Sequence, residues 1–361
     1  MSLGPVNTRI LKIDPERIDL ELVREAAEVI RRGGIVAFPT ETVYGLGADT
    51  YNSEAAKRVF IAKGRPMDNP LIVHIAELSQ LYDVAMEVPD FVERLAKRFW
   101  PGPLTLILRK APRVPPEVTA GRETVAVRMP AHPVALALIR ESGVPIAAPS
   151  ANLAGRPSPT TGEHVVRDLY GRADVIIDSG ETLYGVESTI IDVTKDPPVL
   201  LRPGAMPYEE VEKELGKKVV VPPFARGLGE ADVALAPGMK YRHYAPLKRL
   251  TVVEGDYADL ESYARKVARV VKEAVRRGSR PVVLCSSETE HVYREEGLRT
   301  IVLGPRSNLF IVARNLFKSL RAIDDILEVD EAFAEGFEER GLGLTIMNRL
   351  RKASGFNIVK V

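Results

Sequence analysis

The 361-residue chain has one cysteine, Cys285, and one tryptophan. A single thiol excludes an internal disulfide and any cysteine-rich metal site. The five histidines, His74, His132, His164, His243 and His291, lie too far apart to make a local metal box. Neither charge sign dominates, with 50 Lys and Arg against 49 Asp and Glu and a formal net charge of +1. That balance excludes a broad electrostatic surface for nucleic acid or an anionic membrane. The longest apolar runs are strand-sized, as in Val282–Cys285, far below the roughly 18 residues of a membrane span. No basic-then-apolar leader pattern opens the sequence. The common nucleotide and hydrolase signatures are missing as well. GxxxxGK[ST] and GxSxG do not occur, and Gly45-Leu46-Gly47 and Gly341-Leu342-Gly343 are lone pairs without a third glycine. What is present is 45% hydrophobic and 27% charged residues, the composition of packed domains. The length suits two of them, and a cytoplasmic protein with no membrane partner is expected.

The periodicities divide the chain in two. Leu20–Arg32 has helical spacing ended by Gly33-Gly34, Ile35–Phe38 is a short buried strand, and Ser53 reads as the cap of a helix to about Ala62. Helices at Phe91–Phe99 and Pro133–Glu141 and strands at Leu71–Ile75, Leu104–Leu108, Thr124–Arg128, Val144–Ala147, Asp174–Asp178, Ser188–Val193 and Val199–Leu201 follow. Several strands succeed one another directly, which predicts a mixed, twisted sheet with flanking helices. Val219–Ala245 is rich in proline and glycine and reads as a linker or functional loop. Beyond it, strands at Leu250–Val253, Pro281–Cys285, Thr300–Leu303 and near Glu328–Ala332 alternate with helices at Leu260–Arg277, after Ser307 and near Leu344–Lys352. This alternation predicts a smaller parallel α/β domain.

Polar residues collect where strands end. Pro39–Gly47 (PTETVYGLG) follows a buried strand and holds two threonines, a glutamate and a tyrosine. It fits either a rigid turn with threonine caps or the polar floor of a pocket. Lys63-Gly64-Arg65-Pro66 with Asn69 fits a phosphate or carboxylate clamp, or a solvated basic helix end. His74, on an apolar strand, has the look of a core histidine. Arg128 ends a strand, where a guanidinium either clamps an anion or makes a surface salt bridge. Ser150, Ser158, Ser188 and Arg202 repeat the pattern of hydroxyls and cations at strand ends.

In order along the chain, PTETVYGLG (39–47), KGRP (63–66), NPLIVHI (69–75), WPGPLT (100–105), VAVRMP (125–130), APSAN (148–152), GVESTI (185–190) and LRPG (201–204) resemble the YrdC-like family. The linker motif at 237–246 (PGMKYRHYAP) and the α/β tail are similar to its two-domain form, the threonylcarbamoyl-AMP synthases. The resemblance implies a YrdC-like catalytic domain with a concave pocket at 14–214, a linker or lid at 215–247 and a Rossmann-like domain at 248–361. It also implies a nucleotidyltransferase that makes threonylcarbamoyl-AMP and pyrophosphate from L-threonine, bicarbonate and ATP. A separate transferase complex would then modify tRNA beside the anticodon, with weak or no direct tRNA binding by this chain. Carried over by position, Thr42, His74, Arg128, Ala148 and Ser188 would line the threonine site. Arg65, Asn69, Thr124, Ser150, Ser158 and Arg202 would surround ATP, with Lys63 and Arg65 catalytic and His243 reaching nucleotide from the linker. Mg2+ would arrive with ATP, since no carboxylate cluster reads as a dedicated metal site. Two other readings stand beside this one. An RNA-binding module would use the eight basic residues of Arg94–Arg128, yet few aromatics interleave there. A carbamoyltransferase of the hydrogenase-maturation type would need zinc-finger segments that one cysteine cannot supply.

Overall fold

A computed structural model describes residues 4, 6–239 and 243–361. Its residues fall into two compact units. The first unit holds the residues up to 154, 158–222 and 231–239. Its sheet is mixed, in the spatial order Arg9–Lys12, Val175–Asp178, Val36–Phe38, Gly45–Asp49, Ile146–Ala148, Ile72–His74, Thr124–Arg128, Leu104–Lys110, Thr189–Asp192, Val199–Arg202. The expected mixed sheet is therefore present. It starts earlier than residue 14, because Arg9–Lys12 pairs in parallel with Val175–Asp178 at one edge.

Alternation along the strands makes two apolar layers. Val36, Phe38, Ile146 and Ile177 pack under helices Leu20–Arg31 and Pro133–Ser142. Ile35, Ala37, Leu46 and Ala48 face helices Ser53–Lys63 and Gly162–Leu169 on the other side. Each fully buried Val, Leu, Ile or Phe contributes about 1.5–3 kcal/mol to this core.

Three local readings change. The cap of the helix Ser53–Lys63 is Asn52, whose side chain accepts from the Ala55 amide at 3.0 Å. The helix Gly162–Leu169, capped by Thr161, was not expected. Gly45–Asp49, the end of the expected loop, is a strand antiparallel to Val36–Phe38. Glycine is unfavourable in strands, but here the Phe38 ring occupies the missing side-chain space. A Cβ on Gly47 would lie 2.4 Å from Ile146 and 2.8 Å from the Phe38 ring.

The second unit holds 155–157, 223–230 and 243–361. Its five strands are all parallel, in the order Arg299–Gly304, Pro281–Ser286, Glu331–Glu335, Arg249–Glu254, Ile358–Lys360. The fourth in chain order lies three residues later than expected and buries Glu335, which binds the Tyr293 hydroxyl at 2.6 Å and Arg306 at 3.1 Å. A glutamate hidden by such partners breaks the apolar pattern that sequence reading relies on. The segment 215–247, read as one linker, is split between the units. Residues 223–230 belong to the second, where the Asn348 side chain donates to the Ala225 carbonyl at 2.9 Å. Residues 231–239 belong to the first, with Ala234, Ala236 and Met239 buried. Among the described residues no helix is long and apolar enough to cross a membrane.

Candidate functional site

Strand register brings the expected residues to one face of the first sheet. His74 pairs with Arg128, and Ile72 with both Ala126 and Ala148. Ile107 pairs with Ala126, Thr105 with Ile190, and Ile190 with Arg202. Because side chains alternate with period two, Thr124, Arg128, His74, Ala148, Thr105 and Arg202 all point the same way. Ser188, one residue before its strand, joins them through a 2.8 Å hydrogen bond to the Thr105 hydroxyl.

Arg128 is 3% exposed, which removes the surface salt bridge from consideration. Its Nε donates to the Gly102 carbonyl at 3.2 Å, Nη1 to Thr42 Oγ1 at 2.9 Å and Nη2 to Glu41 Oε1 at 2.5 Å. Thr40 orients this group: its hydroxyl donates to the Val43 carbonyl at 2.6 Å and shares a 2.8 Å hydrogen bond with Thr42 Oγ1. The PTET segment is thus more than a turn, since three of its side chains build the surroundings of one buried cation.

His74 is buried, edge-on to Phe38 with ring centroids 5.7 Å apart. Desolvation, and then the neighbouring Arg128 charge, lower its pKa from 6.5 to about 3, so the ring is neutral. Nδ1 lies 3.0 Å from the Ile72 carbonyl and 3.3 Å from that of Ile146. Both are acceptors, so the proton sits on Nδ1 and Nε2 carries the lone pair. His132 is neutral too, with burial lowering its pKa to about 4, and its Nδ1 accepts the Val134 amide to cap a helix.

A second group lies toward the other end of the same strands. Thr124 is four residues from Arg128, about 13 Å along the strand. Asn69 precedes the neighbouring parallel strand at that same end. Asn69 is fully buried, and neither side-chain atom has a hydrogen-bond partner among the described residues. Arg65 closes the turn beside it, its Nη2 donating to the Asn69 and Pro70 carbonyls at 3.3 and 3.2 Å. Lys63, far from being a solvated helix end, is 2% exposed and donates to the carbonyls of Ser150 and of Asn152, the latter at 2.6 Å. It ties the helix to the APSAN loop, where Ser150 Oγ donates to Asn152 Oδ1 at 2.5 Å.

The remaining expected residues divide. Ser158 donates to Glu187 at 2.6 Å, and Arg202 donates to the Ser188 carbonyl at 2.9 Å and to the Pro237 carbonyl at 3.3 Å. The linker residues 231–239 therefore share a side chain with the site. Ala148 buries its methyl in the core beside Phe38 and Ile146, so only its backbone remains for a ligand. His243 is grouped with the second unit, its ring 5.6 Å from that of Tyr244, and is not among the residues the first unit assembles. Sequence reading passed over Glu41, Thr105 and Glu187 as site residues, although all three lie inside the quoted motifs. Several cations of Arg94–Arg128 are individually engaged, Arg109 by Glu87 at 2.7 Å, Lys97 by Glu93 at 3.6 Å and Arg122 by the Ala234 carbonyl at 2.8 Å.

Comparison with known proteins adds an independent finding. Residues 28–204 match the Sua5, YciO and YrdC family model, described as telomere recombination. Residues 206–355 match the C-terminal domain model of threonylcarbamoyl-AMP synthase. The threonylcarbamoyl-AMP synthase of Pyrococcus abyssi is 52% identical over 357 residues, covering 96% of this chain and 98% of that protein. That of Bacillus subtilis is 48% identical over 340 residues, covering 94% of each. The crystal structure of P. abyssi Sua5 complexed with L-threonine superposes with a TM-score of 0.89 at 51% identity, covering 98% of this chain and 99% of that one.

Proposed function

The chain belongs to the threonylcarbamoyl-AMP synthases, a family of nucleotidyltransferases, and from its site we propose that it makes L-threonylcarbamoyl-AMP and pyrophosphate from L-threonine, bicarbonate and ATP. The product would pass, in the cytoplasm, to a transferase complex that modifies tRNA. The observation that carries this reading is one sheet face with two subsites. One has a buried guanidinium beside a neutral imidazole and hydroxyls. The other, toward the opposite strand ends, has an unpartnered buried amide beside Arg65.

In the first subsite Arg128 takes the threonine carboxylate, Thr42 and Ser188 offer hydroxyls, His74 Nε2 accepts a proton donor of the substrate, and Ala148 contributes backbone. In the second, Arg65, Asn69, Thr124 and Ser150 meet ATP, which would reach from there to Ser158 and Arg202, whose partners Glu187 and Ser188 lie at the first subsite. Lys63 holds the loop that carries Ser150, and the assignment of His243 to the nucleotide rests on the linker motif alone. Proton transfer from the threonine ammonium to bicarbonate gives free amine, carbon dioxide and water. The amine then attacks the carbon dioxide and sheds a second proton to solvent to leave a carbamate. A carbamate oxygen then attacks the α-phosphorus, and pyrophosphate leaves with the electrons of the broken P–O bond. The chain's work is to hold three anionic reactants together and offset their repulsion. A histidine with a pKa near 3 is too weak a base to deprotonate the amine. His74 therefore orients the substrate, which binds as the zwitterion and gives its ammonium proton to bicarbonate rather than to the protein.

Among the described residues no group of three His, Cys, Asp or Glu could hold a metal ion. In this reading Mg2+ would arrive on the ATP phosphates, and no step is assigned to it. The test is to mix the protein with ATP, L-threonine and bicarbonate. Pyrophosphate is expected without RNA, and Arg65→Ala should abolish its release while circular dichroism stays native. Release that requires RNA, or that ignores threonine, defeats the reading.

A further inference from the structure

The buried Arg128 does not stand alone, and its partner has no place in the reaction just described. Glu41 is 5% exposed and uses both carboxylate oxygens on the protein. Oε1 accepts from Arg128 Nη2 at 2.5 Å, and Oε2 accepts from the Ala131 amide at 2.9 Å. The Glu41 backbone is pinned as well, its carbonyl accepting the Tyr184 amide at 2.8 Å. One rigid carboxylate thus spans the guanidinium and the loop that leaves its strand.

An arginine offers five N–H donors. Gly102, Thr42 and Glu41 take three of them, one on each nitrogen. One N–H is left on each terminal nitrogen, the number that a carboxylate takes in a bidentate contact. Charge matters as much as direction. A lone buried guanidinium would attract any anion, and this enzyme works beside triphosphate and pyrophosphate. Paired with Glu41, the Arg128 charge is cancelled. The subsite then accepts a zwitterion whose carboxylate finds the two remaining donors, and Arg128 has less attraction for a phosphate dianion.

We infer that Glu41 is a positioning and specificity residue: it aims Arg128 at the amino-acid carboxylate and, by cancelling its charge, keeps phosphate groups out of the threonine subsite. The inference rests on the reading that Arg128 receives threonine. Two variants separate its parts. Glu41→Gln keeps the size and one acceptor but removes the charge, whereas Glu41→Asp keeps the charge and shortens the reach.

Pyrophosphate release is followed while threonine and ATP are varied separately, with inorganic phosphate as the competing probe. Glu41→Gln should raise KM for threonine about tenfold or more, as loss of a charge-assisted hydrogen bond does, with KM for ATP little changed. In the same variant phosphate should become a competitor of threonine at about tenfold lower concentration than in the parent. Glu41→Asp should raise KM for threonine while phosphate stays a poor competitor. An unchanged KM for threonine in both variants overturns the positioning role. Equal rises in KM for threonine and ATP would mean a merely structural role. Unchanged phosphate inhibition in Glu41→Gln overturns the charge argument, and so does phosphate competition gained in Glu41→Asp. If Glu41→Gln does not fold, the Asp variant still tests both claims. A parent protein that makes no threonine-dependent pyrophosphate defeats the functional reading itself, whatever the variants do.

Discussion

Asn69, proposed to meet ATP, shows what such a role costs the fold. Its amide is fully buried, yet neither Oδ1 nor Nδ2 has a partner among the described residues, and leaving such a group unpaired costs about 1–3 kcal/mol. Asn69→Leu, similar in volume, should therefore raise the unfolding free energy by about 1 kcal/mol or more while ATP binding, followed by calorimetry, is lost. A variant that loses both stability and ATP affinity would mark Asn69 as scaffold. The histidines give a second residue-scale expectation. Burial holds His74 and His132 neutral, with pKa values lowered from 6.5 to about 3 and about 4. The unfolded chain takes up these protons near pH 6.5 and the folded chain does not. Their cost is absent above that pH and grows as pH falls, by up to about 1.4 kcal/mol per pH unit for each histidine. Urea unfolding at pH 7.5 and 5.5 should show the loss, and His74→Gln should flatten it by about half. An unaltered slope would contradict the neutral state given to His74.

At the scale of elements, helix ends place the cations. The helix Ser53–Lys63 closes on Gly64 in the left-handed conformation, φ 63°. Lys63 is thereby left on the last turn, and Arg65 is turned toward the Asn69 carbonyl. A Cβ on Gly64 would meet nothing within 4 Å, so replacing it is resisted by backbone conformation alone. Gly64→Ala should cost about 1 kcal/mol of stability. It should also slow pyrophosphate formation beyond that, because the turn that aims Arg65 is strained. Melting temperature and turnover, measured on one preparation, check the pair of effects. Native turnover in the variant would show that Arg65 does not depend on this cap. The glycine strand Gly45–Asp49 works by the opposite device, since its missing side chains make room for Phe38, which then supports His74.

At the scale of the whole molecule, the linker is divided between the two units. Within the first unit, Arg122 and Arg202 hold residues 231–239 through the Ala234 and Pro237 carbonyls at 2.8 and 3.3 Å. Arg122→Ala removes one of these ties without touching the site. It should speed proteolytic cleavage within 231–239, read by mass spectrometry, while the folded domains resist. Cleavage at the parent's rate would show that Arg122 does not restrain the segment. By itself the sequence determined the two-part α/β architecture, the proline-rich break between the parts and the motifs that hold the proposed site residues. Those features are local: strand and helix periods, turn residues and ordered motifs are written in neighbouring positions. Only the tertiary structure decided that Gly45–Asp49 is a strand, that Lys63 is buried as a tie, that Asn69 lacks a protein partner and that Glu41 pairs with Arg128. Each of these depends on groups far apart in the chain, such as Phe38 with Ile146 or Glu41 with Arg128. No periodicity records such meetings, because packing and charge pairing follow distance in space.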